Sequence, residues 1–213
     1  QFANGPNGSA YGSSTSPGFG AAWTQETEDP SDARLGVSIG YTSKDGADSG
    51  LGLSNDDSRS FLLTKVEYGS PRWQVSAAMA KKNSVTAATT AQAETTNGYD
   101  GYYHTAAAKA TKGDLTAYGL RAYWKPETTG SIPEVQVGYD FGTYEEASAG
   151  EAEDIAGWMV GLGWKDVLMD GNSAGVAYGS RMAATSYKGN SSTEDPSEGN
   201  KVWEAYYTFK VND

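Results

Sequence analysis

The chain lacks cysteine altogether and holds one histidine, His104, among its 213 residues. Without thiols there is no disulfide framework, no thiolate nucleophile and no cysteine zinc site. A lone histidine in a long polar stretch reads as a solvated loop side chain rather than a zinc ligand or a triad base, so no metal, cofactor or enzymatic role is expected. Long apolar runs are missing too. The longest, around Gly157 to Trp164, falls far short of the ~20 residues a spanning helix needs. Positive charge is scarce: 16 Lys and Arg stand against 27 Asp and Glu, net -11. No basic patch forms, which argues against nucleic acid as a partner. Bulky aliphatics are also thin, with hydrophobic residues at 38%. A water-soluble chain of this length would carry more Leu, Ile and Val to fill a core. Gly (27) and Tyr (14), with Ala, Ser and Thr, take their place. That composition suits a structure with a wet interior. The chain opens at Gln1 in polar sequence, so any leader is expected upstream or already removed.

What is present is alternation. Ala33–Ser43 sets Leu35, Val37, Ile39 and Tyr41 against Gly36, Ser38 and Gly40. Arg72–Ala80, Pro133–Thr143, Ile155–Lys165 and Lys201–Val211 repeat the period of two. Pro17–Thr27, Arg59–Tyr68, Asp114–Trp124 and Ser173–Met182 follow it less cleanly. The reading is about nine strands, each near the length of a tilted membrane strand. Turns are expected at Glu28–Asp32, Gly69–Pro71, Lys125–Ile132 and Asp166–Asn172, each with Pro or Gly at the reversal. Long polar loops are expected at Lys44–Ser58, Lys81–Gly113, Tyr144–Asp154 and Ala183–Asn200. Short and long connections then alternate strictly, as they do in an outer-membrane barrel. The segments starting at Ala21 and Ala122 share a strand-ending Trp, a Pro-bearing turn and a Gly-Tyr on the return. This supports hairpin units.

The expected fold is therefore all-β: a transmembrane antiparallel up-and-down barrel spread over 1–213, of which this chain covers part. Single-chain barrels have even strand numbers, and an open edge in lipid is costly. Further strands, from the same chain or another, are expected to complete it.

Charges on the less apolar strand face are the informative residues: Lys65, Glu67, Arg72, Arg121, Asp140, Arg181, Glu204 and Lys210. In hydrocarbon each would cost several kcal/mol, on the order of 2–4 near the midplane. They are expected to line a watery lumen, where Arg and Lys attract anionic or polar solutes. Trp23, Trp73, Trp124, Trp164 and Trp203, with Tyr41, Tyr68 and Tyr178, fall near strand ends. That is the position of amphipathic rings at the membrane interface. The loop Lys81–Gly113 is long for any compact domain. It carries Tyr99, Tyr102, Tyr103, His104, Lys109 and Lys112, and is expected to fold into the lumen and narrow it. Acidic clusters at Asp56-Asp57, Glu145-Glu146 and Glu151–Asp154 match no calcium-loop spacing and read as solvated loop charge. Gly50-Leu51-Gly52 and Gly161-Leu162-Gly163 open no helix and make no dinucleotide site.

GWMVGLGWKDVLMDGNSAGVAYGSRM (Gly157–Met182), then KVWEAYYTFKVND (Lys201–Asp213), resembles the porins of cyanobacterial outer membranes. These are often called iron uptake porins and are related to carbohydrate-selective porins. AYGLRAYWKPETTGSIPEVQVGYDFGTY (Ala117–Tyr144) resembles the segment upstream of it. The likeness covers Asp114–Asp213 well and the rest loosely. It implies a barrel of about sixteen strands in the outer membrane, a homotrimer, and passive diffusion of inorganic ions and small solutes. Such porins usually carry an N-terminal wall-binding domain and coiled coil; no such domain is expected within 1–213, so wall binding is not assigned to these residues. The resemblance carries over no binding residues. The rival reading is a soluble extracellular β-sandwich that binds glycans; it calls for exposed aromatics in loops rather than at strand ends. A barrel enzyme would need a Ser/His or paired-acid site.

Overall fold

The computed structural model describes residues 17–43, 46, 49–50, 52–53, 60–85, 113–128, 130–189 and 201–210. Nine strands follow one another: β1 (Gly18–Thr24), β2 (Arg34–Ser43), β3 (Ser60–Ser70), β4 (Trp73–Val85), β5 (Gly113–Trp124), β6 (Glu134–Tyr144), β7 (Ala152–Lys165), β8 (Ser173–Tyr187) and β9 (Lys201–Thr208). They form a single sheet in sequence order, every neighbouring pair antiparallel. Among the described residues there is no helix. The sheet is an up-and-down meander with β1 and β9 as its edges, and it is not closed. The principal packing of each strand is against its sequence neighbours. No second layer lies over the sheet among the described elements.

The alternation of the sequence therefore decides which side chains stand on which face, because a strand has a period of two. One hydrogen-bonded row runs Trp23, Val37, Val66, Ala77, Leu120, Tyr139, Trp158, Ser180, Lys201. It starts beside the last residue of β1 and ends at the first residue of β9. Between these, the turn-side strand ends slide steadily away from the row, by about six residues across the nine strands. At ~3.3 Å per residue and ~4.8 Å between strands, that stagger is a slope of roughly 30°. A sheet that rolls into a barrel must stagger in this progressive way.

Several boundaries differ from the sequence expectation. Arg72 was expected on β4 but lies in the two-residue turn with Pro71, ahead of Trp73. Gly69, Pro71 and the Ser70–Trp73 pairing close that hairpin. A Cβ at Gly69 would stand 2.2 Å from the Trp73 carbonyl oxygen, so only glycine fits there. The acidic stretch 144–154, expected as a long loop throughout, is strand at both ends. β6 runs through Tyr144 and β7 begins at Ala152, leaving only 145–151 as connection. The charges that suggested a loop are satisfied locally. Glu153 pairs with Lys188 at 2.7 Å, and Asp154 accepts from Thr143 and Ser186 hydroxyls, each at 2.7 Å. The connection 145–151 is thus no longer than 25–33 or 125–133 at the opposite end. The strict short–long alternation does not hold there. β8 also runs past Met182 to Tyr187, with a bulge that sets Arg181 and Met182 against Gly157. A Cβ on Gly157 would stand 3.1 Å from the Met182 sulfur.

The β7–β8 turn carries two non-glycine residues in the left-handed region, Asp166 (φ 55°) and Leu168 (φ 66°). For leucine this costs about 1–2 kcal/mol.

Candidate functional site: two faces of one sheet

The first face is apolar and exposed. It carries Val37, Ile39, Val66, Val75, Leu120, Val137, Val160 and Val176, each more than a third exposed. Aromatics border this aliphatic zone on both sides. Toward the turns stand Trp23, Tyr68, Trp73, Trp124, Trp164 and Tyr207. Trp73 and Trp124 are direct cross-strand partners, and Tyr68 meets Trp73 edge-on at 5.6 Å. Toward the long connections stand Phe19 stacked on Tyr41 (5.5 Å), Tyr118 stacked on Phe141 (5.2 Å), and Trp158 edge-on to Tyr178 (5.7 Å), with Trp203 paired to Tyr178. Among the described strand residues, charge on this face is confined to Lys81, Asp114, Asp154 and Lys201 at the long-connection end. The band is about 20 Å high at the usual strand tilt and covers roughly 800 Å² in projection. Soluble monomers rarely expose contiguous apolar patches beyond ~300–600 Å². A shallow groove of about 550 Å³ lies on this face, where small Ala77 and Ala122 lie between the taller Tyr68 and Tyr139.

The second face is polar in its turn-side half. Two of its rows are Ser38–Lys65–Ala78–Gly119–Asp140 and Gly36–Glu67–Ser76–Arg121–Gly138. Five of the residues singled out from sequence share this face: Lys65, Glu67, Arg121, Asp140 and Glu204. Four of them are brought together in pairs. Lys65 bonds Glu67 on the same strand. Arg121 Nη2 donates to Asp140 Oδ2 at 2.6 Å, and its Nη1 donates to the Leu120 carbonyl at 2.9 Å. The side chains of all four are about a quarter to a third exposed. Partly exposed pairs of this kind contribute about 0–1 kcal/mol to stability, so their main effect is on the potential at the wall. The two pairs run in opposite senses along the strands, cations and anions alternating around a floor of Ser76, Ala78 and Gly119. Sequence reasoning missed a third pair, Glu134 with Lys165 at 2.7 Å, because it joins strands β6 and β7 diagonally at their ends.

Glycines set the shape of this wall. Arg121 lies across Gly138, where a Cβ would stand 3.0 Å from its Cδ. Glu67 lies across Gly36 in the same way, and a Cβ on Gly175 would stand 2.4 Å from the Tyr206 ring. The long side chains are thus laid flat along the wall by facing glycines rather than projecting from it.

Toward the long connections the same face becomes buried and apolar: Leu115, Ala117, Tyr144, Ile155, Met182 and Ala184 form one cluster. Lys82 is also fully buried there, its Nζ 5.9 Å from the Phe61 ring centre.

Of the three remaining expected wall residues, two stand off the strands and one sits in a bulge of β8. Arg72 is in its turn, exposed and paired with Glu127 of the neighbouring connection. Arg181 sits in the β8 bulge opposite Gly157. Lys210 follows the end of β9, its N–H donating to Asn172 Oδ1 at 3.2 Å. The proposed constriction residues Tyr99, Tyr102, Tyr103, His104, Lys109 and Lys112, and the Asp56-Asp57 cluster, lie outside the described residues. Among the described residues no cluster of His, Asp and Glu could hold a metal ion.

Comparison with family models, with curated proteins and with solved structures finds no match to this chain.

Proposed function

We propose that the sheet is part of the wall of an outer-membrane porin, passing inorganic ions and small polar solutes by diffusion through a water-filled lumen. The observation that carries this is the apolar face: continuous over nine strands, rimmed by aromatics, and covered by no second layer among the described residues. Hydrocarbon is the solvent that suits such a face. The progressive stagger supplies the strand slope that closure requires. The charged, glycine-floored face then meets water, and its compensated pairs make the wall polar without strong selectivity for one sign. The likeness to cyanobacterial porins points the same way and extends the proposal to a homotrimer with the remaining strands in one larger barrel. A glycan-binding sandwich would need a second sheet over Val66 and Leu120, and the described strands form one layer.

The test is conductance. The natural protein, extracted in detergent and reconstituted in a planar lipid bilayer, is expected to give stepwise, voltage-independent openings. Silent bilayers, with insertion verified by protease protection in matched vesicles, would reject the porin reading.

A further inference from the structure

The connections at the turn-side edge are not alike. The one at 25–33 carries Glu26, Glu28, Asp29 and Asp32; the next is Pro71 and Arg72; the third, 125–133, carries Lys125 and Glu127. The fourth, between β7 and β8, puts Val167, Leu168 and Met169 at its tip. Leu168 is 89% exposed and Met169 70%. The backbone that presents them is held on both sides. Gly171 N–H donates to Asp166 Oδ1 at 2.9 Å, and Asn172 N–H donates to the Met169 carbonyl at 3.1 Å. Leucine rather than glycine or asparagine takes the left-handed position at 168. An outlier of that kind persists only where the surroundings over-determine it, and such outliers collect at functional segments. The direction of the tip is also informative. Leu168 borders a notch shared with Trp164 and Ala174, both residues of the apolar face. Exposed Ile132 stands in the adjoining turn, which Trp164 Nε1 ties in by donating to the Ser131 carbonyl at 3.2 Å. The neighbouring charges point to other partners: Lys165 pairs with Glu134, and Asp166 accepts from Gly171.

We infer that the β7–β8 turn is a lipid anchor, with Leu168 and Met169 entering the interfacial layer of the leaflet on the turn side, next to Ile132. This rests on the porin reading and deepens it by assigning a lipid partner to one turn. Among the described residues, the anchor and Ile132 of the adjoining turn continue the apolar face past the Trp124–Trp164 level. Apolar and amphipathic side chains at the headgroup boundary gain from such insertion, while the exposed carboxylate of Asp170 stays at the polar boundary.

The chain has no cysteine, so single labels can be placed at will. Leu168→Cys, Leu120→Cys (centre of the apolar face) and Ser76→Cys (charged face) are each spin-labelled in the natural protein and reconstituted in phosphatidylcholine vesicles. Collision with oxygen and with a water-soluble nickel complex then reports depth. The expected result is a Leu168 label inside the interface, shallower than the Leu120 label and well protected from nickel compared with Ser76. A deep Leu120 label with a Leu168 label open to nickel overturns the anchor and leaves the porin reading standing. A Leu120 label open to nickel overturns both. Leu168→Asn keeps a residue that tolerates the left-handed conformation. It is expected to slow vesicle insertion several-fold without altering the β-sheet spectrum in detergent; unchanged insertion contradicts the anchor.

Discussion

On β5 the apolar face carries Tyr118, Leu120 and Ala122, while the charged face, one residue out of step, carries Gly119, Arg121 and Tyr123. The same contrast runs across the sheet with different building rules on each side. On the apolar face, bulk is graded by height: aromatics at the two borders, Val, Leu, Ile and Ala between them. On the charged face bulk is graded by partner: a long side chain faces a glycine, as Arg121 faces Gly138 and Tyr206 faces Gly175. The first rule matches a layered solvent, which sorts side chains by depth. The second keeps a wall flat and its charges paired, which suits a passage. One sheet thus carries two surfaces of opposite character, and its register keeps them apart.

The largest expected disruption comes from carrying the rule of one face onto the other. Leu120→Arg, mid-band on the apolar face, should cost about 2–4 kcal/mol of folding stability in a bilayer, read as a lowered urea midpoint in vesicles. Ala78→Lys on the charged face should shift that midpoint far less. Equal effects would mean that the faces do not differ in solvent. Next, Gly175→Val fills the space that the Tyr206 ring occupies. Overpacking of this kind should cost about 1–3 kcal/mol in the same titration, and Tyr206→Ala in the same chain should restore much of it.

A smaller effect, on transport rather than folding, sharpens the electrostatic half of the comparison. Asp140→Asn leaves Arg121 without its carboxylate and should move the zero-current potential in a salt gradient toward the anion. Arg121→Glu should move it toward the cation. Arg72→Glu should do little, since Arg72 is exposed in its turn and paired with Glu127. An equal shift from Arg72→Glu would put the selective charge at the mouth instead of the wall.

The smallest effect lies outside the strands. Asp29 accepts from the backbone N–H and hydroxyl of Ser31, each at 2.8 Å, which holds its carboxyl below the ordinary 3.8. A depressed folded value means the stabilisation is present above the unfolded value and fades as pH falls through the folded one. Asp29 should therefore titrate below pH 3.8 by NMR in micelles, and Ser31→Ala should raise it toward that value. An unmoved titration would mean that the Ser31 contacts do not hold the turn.

The strands were legible because alternation is a local signal: Leu35, Val37, Ile39 and Tyr41 identify a face without knowledge of any neighbour. The turn-side tryptophans were legible for the same reason, since each stands beside a Pro- or Gly-bearing reversal. Partnerships were not. Lys65 with Glu67 can be guessed from spacing along one strand. Arg121 with Asp140, and Glu134 with Lys165, depend on register between strands, which alternation alone does not fix. The stretch 144–154 misled because charge was taken for loop, whereas Glu153 and Asp154 are satisfied by Lys188, Thr143 and Ser186 from adjacent strands. Arg72 misled by a single residue, enough to move it off a face and into a turn. The bulge opposite Gly157 leaves almost no trace in sequence, because an extra residue in β8 looks like one more step of the strand.

The most direct measurement is a cysteine scan along β5, from Thr116 to Tyr123, in the natural protein reconstituted in vesicles. Each site is tested with a water-soluble thiol reagent and, after labelling with a fluorophore, with a quencher attached to lipid acyl chains. The account predicts opposite phases: lipid quenching at 118, 120 and 122, and aqueous reactivity at 119, 121 and 123. Aqueous reactivity at both sets, with no lipid quenching at 120, would contradict it.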